Sequence, residues 1–336
     1  MAHTNLSINP TKSEATLVLE RSRAAILASL GANETFQRLR QRLKRISIDK
    51  TDFYVVEGDT LLDEDQLFFY AQERERQEKA RQSRNMLELA GMGTANLTQP
   101  DSGGAVSPQP RGLIGIVQNG QLVRWAEGKV LTYCVLKSTF GGDAGETHYQ
   151  KVVDNMQKAT RAWEKTCNVK FQYKAEFDGA TAGSHPDGVV FPVRELDVGG
   201  ALIAASFFPN DPLERRRLVI DPTYYSTDFD EVGVLRHELG HVLGFRHEQI
   251  RSQAPAVCRG EGTDDTINLT DYDPKSVMHY FCGNVGSKTL EITETDQIGA
   301  RVVYGSPADE RLESAAMGAS AIDRLFPRPA NVAFVS

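Results

Sequence analysis

Residues 237–248 read HELGHVLGFRHE, and the rest of the chain is interpreted from this stretch. His237 and His241 are four positions apart, so a helix places both side chains on one face, within reach of one ion. Gly244 accepts the positive φ that ends such a helix and reverses the chain, which brings His247 round as a third ligand. Three imidazoles with an open fourth position are typical of catalytic zinc, because structural zinc sites are closed by four protein ligands.

The same stretch carries a candidate base. Glu238 directly follows the first histidine, so its carboxylate can reach the open side of the ion and accept a proton from water. The alternative interpretation is a helix that happens to carry unrelated histidines. The sequence therefore predicts a Zn²⁺ centre with His237, His241 and His247 as ligands and Glu238 as general base.

The spacing HExxHxxGxxH is the signature of the metzincin metallopeptidases, and residues 276–280, SVMHY, resemble the Met-turn of that family. The resemblance implies an α/β (α+β) domain with a twisted mixed sheet, a long active-site helix and a smaller lower subdomain. It also implies that Met278 lies beneath the ligands as an apolar floor. Tyr280 would stand beside the metal and stabilise the oxyanion, as in astacins.

Composition and net charge exclude some classes of binding partner. The net charge is −7 over 336 residues without a basic stripe, which argues against nucleic acid as a partner. No apolar run approaches the length of a membrane span, so we expect no membrane partner. We also expect a monomer that binds a protein or peptide substrate. Residues 215–217, three arginines, are interpreted as a solvated loop rather than a phosphate site.

The cysteines and the amino terminus give opposite indications about the compartment of the protein. The first residues lack the basic start and long apolar core of a secretory signal. Four cysteines nevertheless suggest two disulfides and an oxidising, extracellular compartment. A Cys258–Cys282 bridge is favoured, whereas Cys134 and Cys167 are either bridged or buried thiols.

Four segments follow from the pattern along the chain. Residues 1–90 form a helical, propeptide-like region, with helical patterns at 15–48 and 63–89 around a short strand at 53–56. Residues 91–112 are rich in Gly, Pro, Ser and Thr and indicate a linker. Residues 113–305 form the catalytic domain, and we assign no role to the tail at 306–336.

The propeptide-like region contains a candidate latency residue. Residues 56–59, VEGD, are similar to the FxGD segment of astacin propeptides, whose aspartate occupies the open position of the metal. The resemblance implies that Asp59 ligates the zinc and silences the enzyme, since carboxylates are competent zinc ligands. A simple Gly-Asp turn that ends a strand stays open as the alternative.

The catalytic domain opens with a strand–helix–strand pattern. Strands are predicted at 122–125 and 130–135, a helix at 148–167 and a strand at 169–173, which together indicate a crossover between parallel strands. Further strands are predicted at 188–191, 202–208, 217–221 and 290–293. A helix capped by Thr293, with Asp296 at the capping-box position, closes the domain.

Residues 202–209, which end in FFP, resemble the edge strand of matrixins. The resemblance implies that Ala204, Ala205, Ser206 and Phe207 align an extended substrate, because an edge strand offers unpaired backbone groups. An ordinary edge strand without a ligand is the alternative.

Matrixins also bind a second, structural zinc, and this chain keeps only half of its ligands. His185 and Asp187 match, but the other ligand positions correspond to Ala205 and Val219. Two ligands cannot close a tetrahedral site, so we predict no structural zinc and interpret His185 as a loop histidine.

Glu248 stands at the position of the astacin glutamate that binds the newly freed amino terminus. The resemblance implies that Glu248 does the same after a cut near 111–112. A surface salt bridge is the alternative.

The sequence thus predicts a zinc endopeptidase made as a latent precursor. Two alternatives are kept, a zinc hydrolase of a non-peptide amide or ester and a binding protein that retains the metal without turnover.

Overall fold

The computed structural model describes residues 33–89 and 113–310, apart from positions 119, 252, 256, 259–265 and 309. The predicted linker at 91–112, the start of the first predicted helix and the tail beyond 310 lie outside the described residues.

The N-terminal region consists of two helices around a small antiparallel sheet. Its elements are α1 (Glu34–Arg42), β1 (Arg45–Ile48), β2 (Thr51–Val56), β3 (Thr60–Leu62) and α2 (Glu64–Leu89), with sheet order β1-β2-β3. The prediction of a helix through residue 48 is wrong at its end. Ile46 and Ile48 are buried while Arg45 and Ser47 are exposed, and this alternation has the period of a strand.

A five-stranded sheet forms the centre of the catalytic domain. Its strands are β6 (Val130–Val135), β7 (Lys170–Tyr173), β8 (Phe191–Glu195), β9 (Ala204–Ala205) and β10 (Leu218–Ile220), in the order β7-β6-β8-β10-β9. All neighbours are parallel except β9, the edge strand, which runs antiparallel to β10. Helix α3 (Gly145–Thr166) joins the parallel pair β6 and β7, so the predicted crossover and the mixed α/β class are confirmed.

Three predicted strands differ from the structure for local reasons. Gly188 has φ +80°, so the strand predicted at 188–191 begins only at Phe191. Leu290 has φ +45° and interrupts the strand predicted at 290–293. Of the strand predicted at 122–125, only β5 (Gln121–Leu122) forms, because Trp125 turns inward and donates its Nε1–H to the carbonyl of Val242 at 2.7 Å.

The lower part of the domain holds a second sheet and the closing helix. Strand β4 (Ile114–Gln118) pairs with β11 (Phe245–Arg246), β12 (Thr266–Asn268) and β5. Helix α5 (Glu294–Tyr304) starts with the predicted capping box of Thr293 and Asp296. Between the two parts runs α4 (Glu231–Val242), the helix of the histidines.

One disulfide forms among the four cysteines. Cys258 and Cys282 are bridged across 24 positions, as predicted. Cys134 and Cys167 are buried thiols in the sheet and at the end of α3, so the expectation of two disulfides is wrong.

Candidate metal centre

Helix α4 and the bend after it place three histidines around one point. The Asp230 side chain caps the helix by accepting from the amide of Gly233 at 2.6 Å. The chain then reverses at Gly244, which has φ +91°, and a Cβ there would lie 2.7 Å from the carbonyl oxygen of Val123. Only glycine fits both conditions, and the reversal carries His247 back towards the helix.

The ligand atoms converge in a buried cluster of His237, His241, His247 and Asp59. The Nε2 atoms of His241 and His247 are 3.1 Å apart. Asp59 Oδ2 lies 3.1 Å from His237 Nε2, 3.2 Å from His247 Nε2 and 3.7 Å from His241 Nε2. Ligands at tetrahedral angles and about 2.0 Å from zinc would be roughly 3.3 Å apart, so the observed spacing fits such an ion.

The hydrogen bonds of the imidazoles fix which ring nitrogens face the centre. His237 Nδ1 and His241 Nδ1 each lie 2.8 Å from a carbonyl oxygen, of Val277 and Phe245 respectively. A carbonyl only accepts, so both Nδ1 atoms carry the proton and both Nε2 lone pairs point inward. Burial lowers the pKa of His241 to about 4, which keeps this ring neutral. The inward lone pairs of His237 and His241, beside the carboxylate oxygen of Asp59, match the chemistry of a bound cation.

Asp59 reaches this cluster at the tip of the β2–β3 hairpin. Val56 pairs with Thr60, and the two residues between Val56 and Asp59 are left-handed, Glu57 with φ +62° and Gly58 with φ +100°. A Cβ on Gly58 would lie 3.2 Å from the Tyr280 hydroxyl. The tip is therefore shaped to fit against this ring. Burial opposes ionisation of Asp59, but the charge of His247 and the histidine hydrogen bonds hold the Asp59 pKa well below its ordinary value.

Glu57 also contacts the site, which the sequence reasoning missed. Its Oε2 lies 3.6 Å from His247 Nδ1 and 3.5 Å from Arg246 Nη2. The hairpin tip thus contributes two carboxylates, one at the ligand atoms and one behind the third histidine.

Glu238 lies beside the cluster and is buried. Among the described residues its Oε2 has no hydrogen-bond partner, while its backbone carbonyl accepts from the Ser206 hydroxyl at 2.9 Å. Burial and, next, the charge of Asp59 raise the pKa of Glu238 well above its usual value. A buried carboxylate with one oxygen free of hydrogen bonds, next to a metal centre, is suited to exchange a proton with a bound molecule.

The predicted Met-turn lies under α4. Met278 is fully buried, and its sulfur and methyl group fill the space where a Cβ on Gly240 would be. Asp296 holds the turn by accepting from the Ser276 hydroxyl at 2.5 Å and the Val277 amide at 2.8 Å. The capping box of α5 therefore also fixes the floor of the site, and the need for a small residue at position 240 was not read from the sequence.

Tyr280 stands beside two of the histidines. Its ring centroid is 5.4 Å from that of His237, nearly parallel, and 4.5 Å from that of His247. Its amide donates to Gln249 Oε1 at 3.1 Å, which fixes the backbone after the Met-turn.

The edge strand is shorter than predicted. Of residues 202–208 only Ala204 and Ala205 form strand β9. Ala204, Ala205 and Phe207 are buried and Ser206 is half-buried. Ala205 pairs with Val219 across the sheet, and both pack in an apolar cluster with the N-terminal sheet.

His185, which matches one ligand of the structural zinc of matrixins, lies in a loop, with Nε2 3.2 Å from the carbonyl oxygen of Val190.

Two charged groups differ from their predicted surroundings. Glu248 is buried and bound to the equally buried Arg251 at 2.8 Å, so a surface salt bridge is wrong. Burial raises the pKa of Glu248 to about 8. Arginines 215–217 are partly buried instead of forming a solvated loop, and Arg216 lies 4.9 Å from the centroid of the Trp125 ring.

Comparison with known proteins finds similarity in the part of the chain that holds the three histidines. The family model described as Matrixin matches residues 124–273, from just after β5 to just before the Met-turn. This segment is therefore similar to the matrixin family of metzincin-type metallopeptidases. The match includes all three histidines and Glu238, whereas Asp59 and Tyr280 lie outside it.

The chain also matches two hatching enzymes. High choriolytic enzyme 1 of Oryzias latipes is 43% identical over 61 residues, 14% of this chain and 23% of the relative. The hatching enzyme of Paracentrotus lividus is 24% identical over 180 residues, 51% of this chain and 28% of the relative. The chain thus matches only about a quarter of the length of these curated relatives.

Two solved structures resemble the fold more loosely. Myroilysin aligns at 17% identity and a TM-score of 0.40, covering 56% of this chain and 98% of myroilysin. The structure of high choriolytic enzyme 1, described as a hatching enzyme zinc-protease, aligns at 19% identity and a TM-score of 0.37, covering 55% and 95% of the two chains.

Proposed function

We propose that this chain is a zinc-dependent endopeptidase, made as a latent precursor with residues 1–111 as its prosegment. One observation carries the proposal: three imidazole Nε2 atoms converge at the spacing of a tetrahedral ion, beside a Glu238 carboxylate whose buried Oε2 has no partner among the described residues. His237, His241 and His247 would hold the ion. Zinc in such a site supplies Lewis acidity and lowers the pKa of bound water to about 7.

The side chains of this domain would then perform the proton transfers of hydrolysis. Glu238 would take a proton from the attacking water and deliver it to the leaving amine, because its buried oxygen is unpaired and has a raised pKa. The Tyr280 hydroxyl would donate to the oxyanion of the scissile group. Met278 would take no part in the chemistry and only shape the floor beneath the histidines.

The substrate would be a protein or peptide bound along the edge strand. Ser206 is half-buried, and its hydroxyl donates to the backbone carbonyl of Glu238. Residues 204–207, which would align the substrate, therefore lie directly beside the general base Glu238. An edge strand can pair with an extended chain. A small amide or ester would not need this edge, and a metal-binding protein without turnover would not need Glu238.

Latency would follow from the position of Asp59. Its carboxylate takes the place that water and the scissile carbonyl require, and the Gly58 backbone covers Tyr280. Removal of residues 1–111 would open the site.

Glu248 would bind the new amino terminus after this removal. The buried Oε2 of Glu248 has no hydrogen-bond partner among the described residues, and Arg251 beside it donates to the carbonyl of Leu113 at 2.9 Å. An ammonium group created near 111–112 would supply the partner that the Oε2 of Glu248 lacks.

An extracellular site of action would suit the disulfide between Cys258 and Cys282. No helix among the described residues has the length and apolarity needed to cross a membrane.

The decisive experiment compares the whole chain with a chain that begins at Gly112. Metal analysis should give one zinc per chain in both, and hydrolysis of denatured casein should appear only in the shorter one. Glu238→Ala in the shorter chain should abolish turnover and retain the zinc. If both chains cleaved a small ester at the same rate and neither hydrolysed casein, the result would instead favour the non-peptide hydrolase. Zinc binding without any turnover would favour the binding protein.

A further inference from the structure

Two arginines of the catalytic domain bind a carboxylate of the N-terminal region. Asp49 accepts from Arg194 Nη1 at 3.0 Å, from Arg194 Nη2 at 2.7 Å and from Arg217 Nη1 at 3.2 Å. The first pair is bidentate, the geometry in which guanidinium recognises carboxylate most strongly. Arg194 is only 5% exposed, whereas the Asp49 side chain is 42% exposed, so the pair is buried on the side of the arginine.

The site lies on the face of the five-stranded sheet that the N-terminal sheet covers. Arg194 on β8 is the register partner of Val219 on β10, so both side chains share a face. Val219 packs in an apolar cluster with Ile48 and Phe53 of the N-terminal sheet. A cavity of about 470 Å³ adjoins the arginines.

The β1–β2 turn presents Asp49 to the arginines. Ile48 pairs with Thr51, which leaves a two-residue loop in which Asp49 has φ +51° and Lys50 has φ +69°. Two left-handed residues make the compact hairpin turn that matches strand twist. The Asp49 carboxylate thus projects from a two-residue turn directly after the buried Ile48.

The charges around the site balance only when the N-terminal region is present. Arg215, beside Arg217, forms an ion pair with Asp63, which also caps α2 by accepting from the Gln66 amide at 2.9 Å. The catalytic domain itself contributes Arg194 and residues 215–217 to the cavity lining, against one acidic side chain there, Glu214. The N-terminal region supplies the missing carboxylates.

We propose that Arg194 and Arg217 form a second anchoring site, which keeps the prosegment bound after the linker is cut, independently of Asp59. Its ligand class is an aspartyl carboxylate at the tip of an apolar hairpin. The proposal rests on the proposed function only in treating residues 1–111 as a prosegment that is severed from the catalytic domain.

The test uses the full chain with a specific protease site in place of residues 97–103. Asp59→Ala is introduced first, so that the metal cluster no longer holds the prosegment. After the cut, size-exclusion chromatography and a dilution series give the Kd between the two fragments. We expect co-elution at micromolar concentration, and we expect Asp49→Asn to raise the Kd by about tenfold or more, since a charge-assisted bidentate pair is lost.

Matched variants separate this site from general damage to the hairpin. Asn tolerates the left-handed conformation of position 49, so the turn itself is retained. Asp52→Asn is the control, because Asp52 is exposed and pairs at 3.3 Å with Arg45 of the same hairpin; it should leave the Kd unchanged. Arg217→Gln should raise the Kd like Asp49→Asn does.

Two outcomes would overturn the proposal: equal Kd values for Asp49→Asn and Asp52→Asn, or complete dissociation of the Asp59→Ala chain once it is cut. The binding measurement needs no peptidase activity. Retention that depends on Asp49 in a chain without turnover would therefore contradict the proposed function and support the anchoring site.

Discussion

The carboxylate of Asp59 lies 3.1 Å from Nε2 of His237, although 178 positions separate the two residues. The contact brings the N-terminal hairpin into the group of atoms best suited to hold a metal ion. A carboxylate oxygen is a good zinc ligand and leaves no room for water at the same position. We therefore propose that one side chain couples latency to metal binding, and this coupling can be tested without removing the prosegment.

Asp59→Ala should make the uncut chain active. The substitution removes the fourth ligand oxygen and leaves the three histidines in place, so water can enter. We expect casein hydrolysis by the full-length variant at a rate at least ten times that of the uncut parent. Asp52→Ala, at an exposed position of the same three-stranded sheet, should leave the parent latent. Equal activities of Asp59→Ala and parent, with equal zinc content, would contradict the latency role.

Gly58→Ala should weaken latency through the backbone. Gly58 has φ +100°, and an added Cβ would press against the Tyr280 hydroxyl at 3.2 Å. A residue with a Cβ is destabilised in this conformation by about 1 kcal/mol or more, so the hairpin tip should leave the site more often. Hydrogen exchange of residues 56–60 should accelerate, together with partial activity of the uncut chain. Gly128→Ala is a useful comparison, because its φ is also positive, +77°, but no atom lies within 4 Å of the new Cβ. Unchanged exchange at 56–60 in Gly58→Ala would refute the coupling.

The sequence predicted what depends on local spacing. Histidines four apart on a helix, a glycine that reverses the chain and a Thr293–Asp296 capping box each follow from residues within one or two turns of each other, and the structure contains all three. The Cys258–Cys282 bridge was also predicted because each cysteine flanks the same loop.

The missed features depend on distant neighbours. Asp49 and Arg194 are 145 positions apart, and nothing in the run of arginines shows that a carboxylate from the N-terminal region will partner them. Gly240 was not recognised as a packing requirement, because its neighbour Met278 comes from another segment. The strand predicted at 290–293 had the right side chains but not the right backbone, since Leu290 is left-handed. Tertiary context overrides strand propensity in such cases.

Tyr280→Phe should reduce the activity of the chain that begins at Gly112 without abolishing it. The ring would keep its stacking on His237, while the donor to the oxyanion is lost. Loss of one such donor typically lowers kcat by about 10²–10³. KM and zinc content should change little, and this separates a role in the transition state from a role in binding. A parent-like kcat would exclude Tyr280 as a donor.

Gly240→Ala tests the packing between the ligand helix and the Met-turn. Alanine in a helix interior is normally favoured over glycine by about 1 kcal/mol, but here the added methyl group would overlap the Met278 sulfur and lie 3.4 Å from Trp163. Overpacking of this kind costs about 1–3 kcal/mol, so we expect a net loss in the free energy of unfolding, measured by urea denaturation. The same substitution in a Met278→Ala background should be neutral or stabilising, because the overlap is gone. Equal effects of Gly240→Ala in both backgrounds would show that the glycine is not required by the methionine.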